Sequence, residues 1–201
     1  MSCCVDPTPR RWRSDVSGLT PFQTLGPFFD FGVVLPDGDV VAKPESAGRH
    51  VIIEGTVRDG RGDVLPDALV EIWQANAAGK YRHPADRQER PLDPAFDGFG
   101  RVATNARGEF AFKTIVPGRV PGPDGKLQAP HLAVGILARG VLTRLITRLY
   151  FEDEPSNAED EILLLVPAER RSTLIAKRIE SDRYRFDIVL QGKRETVFFD
   201  V

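Results

Sequence analysis

The stretch "QAPHLAVGILARG", Gln128 to Gly140, reads as a β-strand that opens on a single histidine. Side chains on one face of a strand recur at every second residue, so His131 shares a face with Ala133, Gly135, Leu137 and Arg139. A metal site built on such a strand wants its second ligand at position 133. Alanine stands there, and it carries no donor atom.

Working outward, the neighbouring segments have the same β character. "HVIIEGTVRD" and "ALVEIWQAN" flank "GRGDVLPD", a Gly/Pro/Asp turn. "GEFAFKTIV" alternates cleanly, with Phe110, Phe112 and Thr114 on one face. "HLAVGILARG" and "TRLITRLYFED" are joined by "GVL", and "RYRFDIVLQG" and "ETVFFDV" close the chain. Short strands between turn signals predict an all-β fold, a β-sandwich with long irregular loops and one short helix. The helix is expected over "PAERRSTLIAKR", Pro167 to Arg178. Proline suits its first position, Glu169 its first turn, and Lys177 and Arg178 its last. Residues 20–48 and 79–100 are too irregular for strands, yet they carry Phe22, Phe28, Phe29, Phe31, Tyr81, Phe96 and Phe99. Aromatic content of this kind predicts packed loops at a site or an interface.

The 201-residue length suits a single domain, expected over residues 20–201 after a disordered extension at residues 1–19. A net charge of -2 gives no electrostatic case for nucleic acid or an anionic membrane. No run approaches the roughly 18 apolar residues of a membrane span. Arg10, Arg11 and Arg13 are not followed by the apolar region of a signal peptide. Cys3 and Cys4 are adjacent near the start and predict reduced thiols in a cytoplasmic protein.

Three histidines are candidates for chemistry. His50 reads as a surface residue before a strand, and His83 lies in a charged loop. His131 has the strongest claim because it begins a core strand. No serine sits in a strand-turn-helix elbow, and no Gly-rich loop matches a phosphate-binding pattern. "DPAFDGFG" is too sparse for a calcium loop. The residues alone describe a soluble β-sandwich with two elaborate loops and name no reaction.

"GTVRDGRGDVLPDALVEIWQANAAGKY", "DGFGRVATNARGEFAFKTIVPG" and "APHLAVGILARG" resemble, in order and spacing, the intradiol ring-cleaving dioxygenases. With "TPFQTLGPFF" and the closing "LIAKRIESDRYRFDIVLQGKRETVFFDV", the resemblance runs from about Thr20 to Val201. It implies a sandwich that binds a non-haem ferric ion through two tyrosines and two histidines. The four ligand positions fall on Tyr81, Val120, His131 and Ala133, so two donors are kept and two are lost at Val120 and Ala133. Catalytic chains commonly carry arginine three residues before the first histidine, where this chain has Gln128.

The resemblance therefore implies an alpha chain that binds no metal, with Tyr81 and His131 vestigial. Its partner would be a homologous beta subunit carrying Fe(3+), the pair acting on 3,4-dihydroxybenzoate and O2. The alpha contributions map onto Thr24 and Gly26, lining the partner's pocket, and onto Phe28 as an aromatic wall. Arg139 would hold the substrate carboxylate. Arg139 lies eight residues beyond His131, roughly 26 Å along a regular strand, so one small pocket cannot hold both. Two other classes stay open: a metal-free β-sandwich module binding a protein or carbohydrate, and a self-sufficient enzyme using Tyr81, His131 and a further ligand such as His83.

Overall fold

The computed structural model describes Thr24, Gly26 and residues 32–200. The extension expected at residues 1–19, with Cys3 and Cys4, and Phe28 lie outside the described residues.

Nine strands carry the described chain: β1 (His50–Arg58), β2 (Leu69–Trp73), β3 (Phe99–Ala103), β4 (Glu109–Ile115), β5 (His131–Leu137), β6 (Leu145–Phe151), β7 (Ile175–Glu180), β8 (Arg183–Arg185) and β9 (Ile188–Val189). They hydrogen-bond in the order β3-β2-β5-β6-β7-β8-β1-β4, and β9 adds to β1. The path folds over at β7, whose first residues pair with β6 and whose later residues pair with β8. The inward residues of the two resulting layers meet in one core. Val70, Ile72, Leu132, Val134 and Ile136 come from one layer; Val51, Ile53, Phe110, Phe112 and Tyr184 come from the other. Each such fully buried aliphatic side chain contributes about 1.5–3 kcal/mol. The all-β sandwich expected from the sequence is the fold observed.

Four local expectations are corrected. Pro167–Arg178 is not a helix: a 3-10 turn spans Arg171–Leu174, and β7 begins at once. The short α-helix lies earlier, at Glu161–Leu165, capped by the Asp160 carboxylate accepting from Leu163 N. Pro167 sets its end, because the residue before a proline avoids helical backbone, and Val166 is extended at ψ 133. Lys177 and Arg178 then pair across strands with Glu152 (2.7 Å) and Asp153 (3.3 Å) rather than stabilising a helix end.

"RYRFDIVLQG" is two short strands, not one. Phe186 crosses against Gly55, where a Cβ would lie 1.8 Å from the Phe186 carbonyl oxygen. "ETVFFDV" forms no strand and touches the sheet only by the Ile146↔Phe199 bridge. Conversely, β3 begins inside the stretch expected to be irregular loop.

Candidate functional site

β5 positions the candidate residues, and its two faces differ. Leu132, Val134 and Ile136 point into the core. His131, Ala133 and Gly135 share the opposite face, as the period of two requires. Ladder partners on neighbouring strands point the same way. Ala133 therefore stands between Trp73 of β2 and Arg148 of β6, and His131 lies opposite Tyr150.

Loop contacts bring Tyr81 to this face. The Asn76 side-chain oxygen accepts from Ala78 N and Lys80 N, at 3.0 and 2.9 Å. The Asp86 carboxylate accepts from Tyr81 N at 2.8 Å and pairs with Lys80 Nζ at 3.2 Å. Both side chains of that pair are nearly buried, which holds the loop against the sheet. Tyr81 stacks on Trp73, with ring centroids 6.0 Å apart and planes inclined by 11°. Val120 comes from the loop after β4, and its carbonyl accepts from Gln128 N at 2.8 Å. Trp73, Tyr81 and Val120 line one cavity of about 330 Å³, together with Pro121, His83, Asp86 and Gln88. The structure thus gathers the four positions, Tyr81, Val120, His131 and Ala133, around one end of β5.

The donor set there does not fit a ferric ion. The Val120 and Ala133 side chains offer no lone pair, and only a phenol and an imidazole remain. Burial raises the Tyr81 pKa, with Asp86 acting the same way against Arg148, so the phenol holds its proton rather than becoming a tyrosinate. Burial and the nearby Arg148 charge push His131 down to about 4, so it is neutral near pH 7. His131 Nδ1 donates to the Ala129 carbonyl at 2.8 Å. A guanidinium stands beside these groups: Arg148 Nη1 donates to Gln128 Oε1 at 2.7 Å and to Tyr150 Oη at 3.3 Å. Tyr150 in turn donates to Asp160 at 2.9 Å. Arg148, Trp73 and Tyr150 were not foreseen from the sequence. Alternation placed them on strands, but only the strand register puts Arg148 beside Ala133.

The other end of β5 is different. The strand stops at Leu137, and Arg139 sits in the turn beyond it, with its side chain 67% exposed and paired to Asp67 at 2.9 Å. The Thr24 hydroxyl accepts from Gly140 N at 2.8 Å and lies 3.3 Å from the Ala138 carbonyl. Thr24 is therefore brought to the Arg139 turn. Gly26 is exposed, with no described residue within 4 Å of the place a Cβ would take. Between the two ends the face is closed. Arg144 lies over Gly135, where an added Cβ would come within 2.7 Å of its guanidinium, and pairs with the buried Glu71 at 2.7 Å. Arg101 holds the same carboxylate at 2.6 Å.

Residues 26–192 match the family model described as Dioxygenase. The chain is 42% identical over 198 residues to the protocatechuate 3,4-dioxygenase alpha chain of Burkholderia cepacia, covering 90% of this chain and 97% of that one. It is 35% identical over 200 residues to the beta chain from the same organism, covering 94% and 83%. Among solved structures, the dioxygenase domain of a dioxygenase carbohydrate-binding protein fusion from Streptomyces sp. SirexAA-E superposes with a TM-score of 0.60. It is 28% identical, over 86% of this chain and 98% of that one. The chain belongs to this dioxygenase family, the intradiol ring-cleaving enzymes whose motifs its own sequence carries.

Proposed function

We propose that this chain is the alpha, non-iron-binding subunit of a protocatechuate 3,4-dioxygenase. It assembles with a homologous beta subunit that holds Fe(3+), and the pair cleaves 3,4-dihydroxybenzoate with O2 to 3-carboxy-cis,cis-muconate in cytoplasmic aromatic catabolism. The observation that carries this reading is the split along β5. The end that matches the family's metal positions lacks half its donors, while the end bearing Arg139 and Thr24 stays open to a partner. The greater identity to an alpha chain than to a beta chain points the same way.

In the assembly, Thr24, Gly26 and Phe28 line the partner's pocket, and Arg139 takes the substrate carboxylate through two parallel hydrogen bonds. Arg139 can change partners at small cost, because its ion pair with Asp67 is exposed and such pairs are worth about 0–1 kcal/mol. Fixing the carboxylate orients the ring before reaction, and orientation alone can supply a large part of a rate. Among the described residues no helix is long and apolar enough to cross a membrane.

The test is iron content and visible absorbance of the chain purified alone and then co-expressed with its beta partner. The expected result is a colourless, iron-free chain that co-purifies with a coloured, active partner. Stoichiometric iron with a tyrosinate-to-iron colour in the chain alone would overturn the proposal.

A further inference from the structure

The chain leaves β5 at Leu137 and turns back towards β6 through Ala138–Val141, a tight turn closed by Val141 N donating to the Ala138 carbonyl at 3.1 Å. Gly140 has φ 80, the value that the third residue of a type II turn takes. Arg139 is then the second residue, and the peptide joining it to Gly140 is the central one. Type I and type II turns differ by a near-half rotation of that peptide, and the closing hydrogen bond suits both. Glycine at the third position tolerates either form. The closing bond therefore does not fix how Arg139 sits, and a further restraint is needed. The Thr24 hydroxyl supplies it. It accepts from Gly140 N, the N–H of the central peptide, at 2.8 Å, and donates to the Ala138 carbonyl at 3.3 Å. Gly140 N has no other partner among the described residues. One hydroxyl thus brackets Arg139 on both sides, reaching across 114 and 116 residues of sequence. Rotating the central peptide would turn the Gly140 N–H away from it and break the bracket. The remaining ties lie elsewhere. Asp67 holds the far tip of Arg139 through an exposed ion pair, and Arg144 anchors the later part of the connection on Glu71.

We infer that Thr24 is a positioning residue: by fixing the Arg139–Gly140 peptide, it sets the direction in which Arg139 presents its guanidinium to an incoming carboxylate. The inference rests on the role proposed for Arg139 and adds what holds that residue in place. With its proton and a lone pair both engaged inside the chain, the Thr24 hydroxyl acts through Arg139 and not on the substrate.

The experiment compares Thr24→Val, which keeps the shape and removes the hydroxyl, with Thr24→Ser, which keeps the hydroxyl. In the complex with the beta subunit, Thr24→Val should raise KM for 3,4-dihydroxybenzoate by about two- to tenfold, the loss of one ordinary hydrogen bond. Thr24→Ser should stay near the native value. The same ring without the carboxylate, 1,2-dihydroxybenzene, measured as a substrate or competitor, should bind the Thr24→Val complex as it binds the native one. Thr24→Val combined with Arg139→Ala should be no worse than Arg139→Ala alone, because a residue that acts through another adds nothing once that other is gone. In the chain alone, hydrogen exchange at the Gly140 amide should be slower than in an unfolded chain and should quicken by about two- to tenfold in Thr24→Val. Additive effects in the double variant, an equal loss for 1,2-dihydroxybenzene, or a Gly140 amide indifferent to Thr24→Val would overturn the inference. An active complex whose KM ignores Thr24→Val would overturn it alone, whereas a native complex inactive on 3,4-dihydroxybenzoate would overturn the proposed function with it.

Discussion

The two ends of β5 carry the same kinds of residue and use them differently. At one end His131 is buried, bonded to its own backbone, and neighboured by a guanidinium. At the other end Arg139 is exposed, held only by an exposed aspartate, on a turn clamped by a threonine from far back in the chain. The strand between is closed by Glu71 clasped between Arg101 and Arg144. The proposed alpha role would use this contrast, with chemistry given up at one end and a contact surface kept at the other. Core packing on the inner face of β5 does not depend on either end, so each is free to change.

The largest effect that tests the contrast is the response of the His131 end to acid. The folded protein holds this imidazole at about 4, below the 6.5 of an unfolded chain. The unfolded state therefore binds the extra proton first. Stability from this group is whole above pH 6.5 and is lost as pH falls through the window down to 4, by about 3 kcal/mol in all. Denaturant unfolding of the native chain and of His131→Asn at pH 7 and pH 4.5 should show the native chain losing more, with the variant's loss smaller by most of that amount. Equal losses would mean that the imidazole is not sequestered, and the contrast between a buried imidazole and an exposed guanidinium would fail.

At the Arg139 end the expected effect is on function rather than stability. Removing a guanidinium that holds a carboxylate costs about 1.5–3 kcal/mol. Arg139→Ala in the assembled complex should therefore raise KM for 3,4-dihydroxybenzoate by about tenfold or more, with thermal unfolding unmoved. An unchanged KM would remove Arg139 from the pocket and leave it as a solvated surface residue.

Much of this contrast was legible in the sequence. The period of two put His131 and Ala133 on one face, whereas Arg139, expected on that face too, lies in the turn past the strand's end, and the ligand positions at Val120 and Ala133 came from the family resemblance. What could not be read is whatever depends on register. Arg148 sits beside Ala133 only because β6 pairs with β5 at that offset, and no local signal fixes an offset between strands. The helix expected at Pro167–Arg178 failed for a related reason. Its charged residues suited a helix locally, but Ile175 and Ala176 gained strand partners in Tyr150 and Phe151, a tertiary pairing that overrides propensity. The short α-helix was displaced to where Asp160 caps it and Pro167 stops it.

The smallest effect concerns Asp67, and it decides whether the Arg139 end is poised or locked. Asp67 has φ 63, in the left-handed region, where asparagine is tolerated as well as aspartate. Asp67→Asn therefore keeps the backbone and removes only the charge. The pair it breaks is exposed on both sides, at 67% and 51%, so unfolding free energy should change by less than about 0.5 kcal/mol. Arg139 then loses its resting partner and gains nothing in exchange. If that partner competes with substrate, KM in the complex should fall slightly, by about twofold at most, and the fall should shrink as added salt screens the pair. A rise in KM, or a stability loss above about 1 kcal/mol, would show instead that Asp67 braces Arg139 in its working position. The turn beyond β5 would then be a built structural corner like the Glu71 cluster, rather than an arginine held in reserve for an incoming carboxylate.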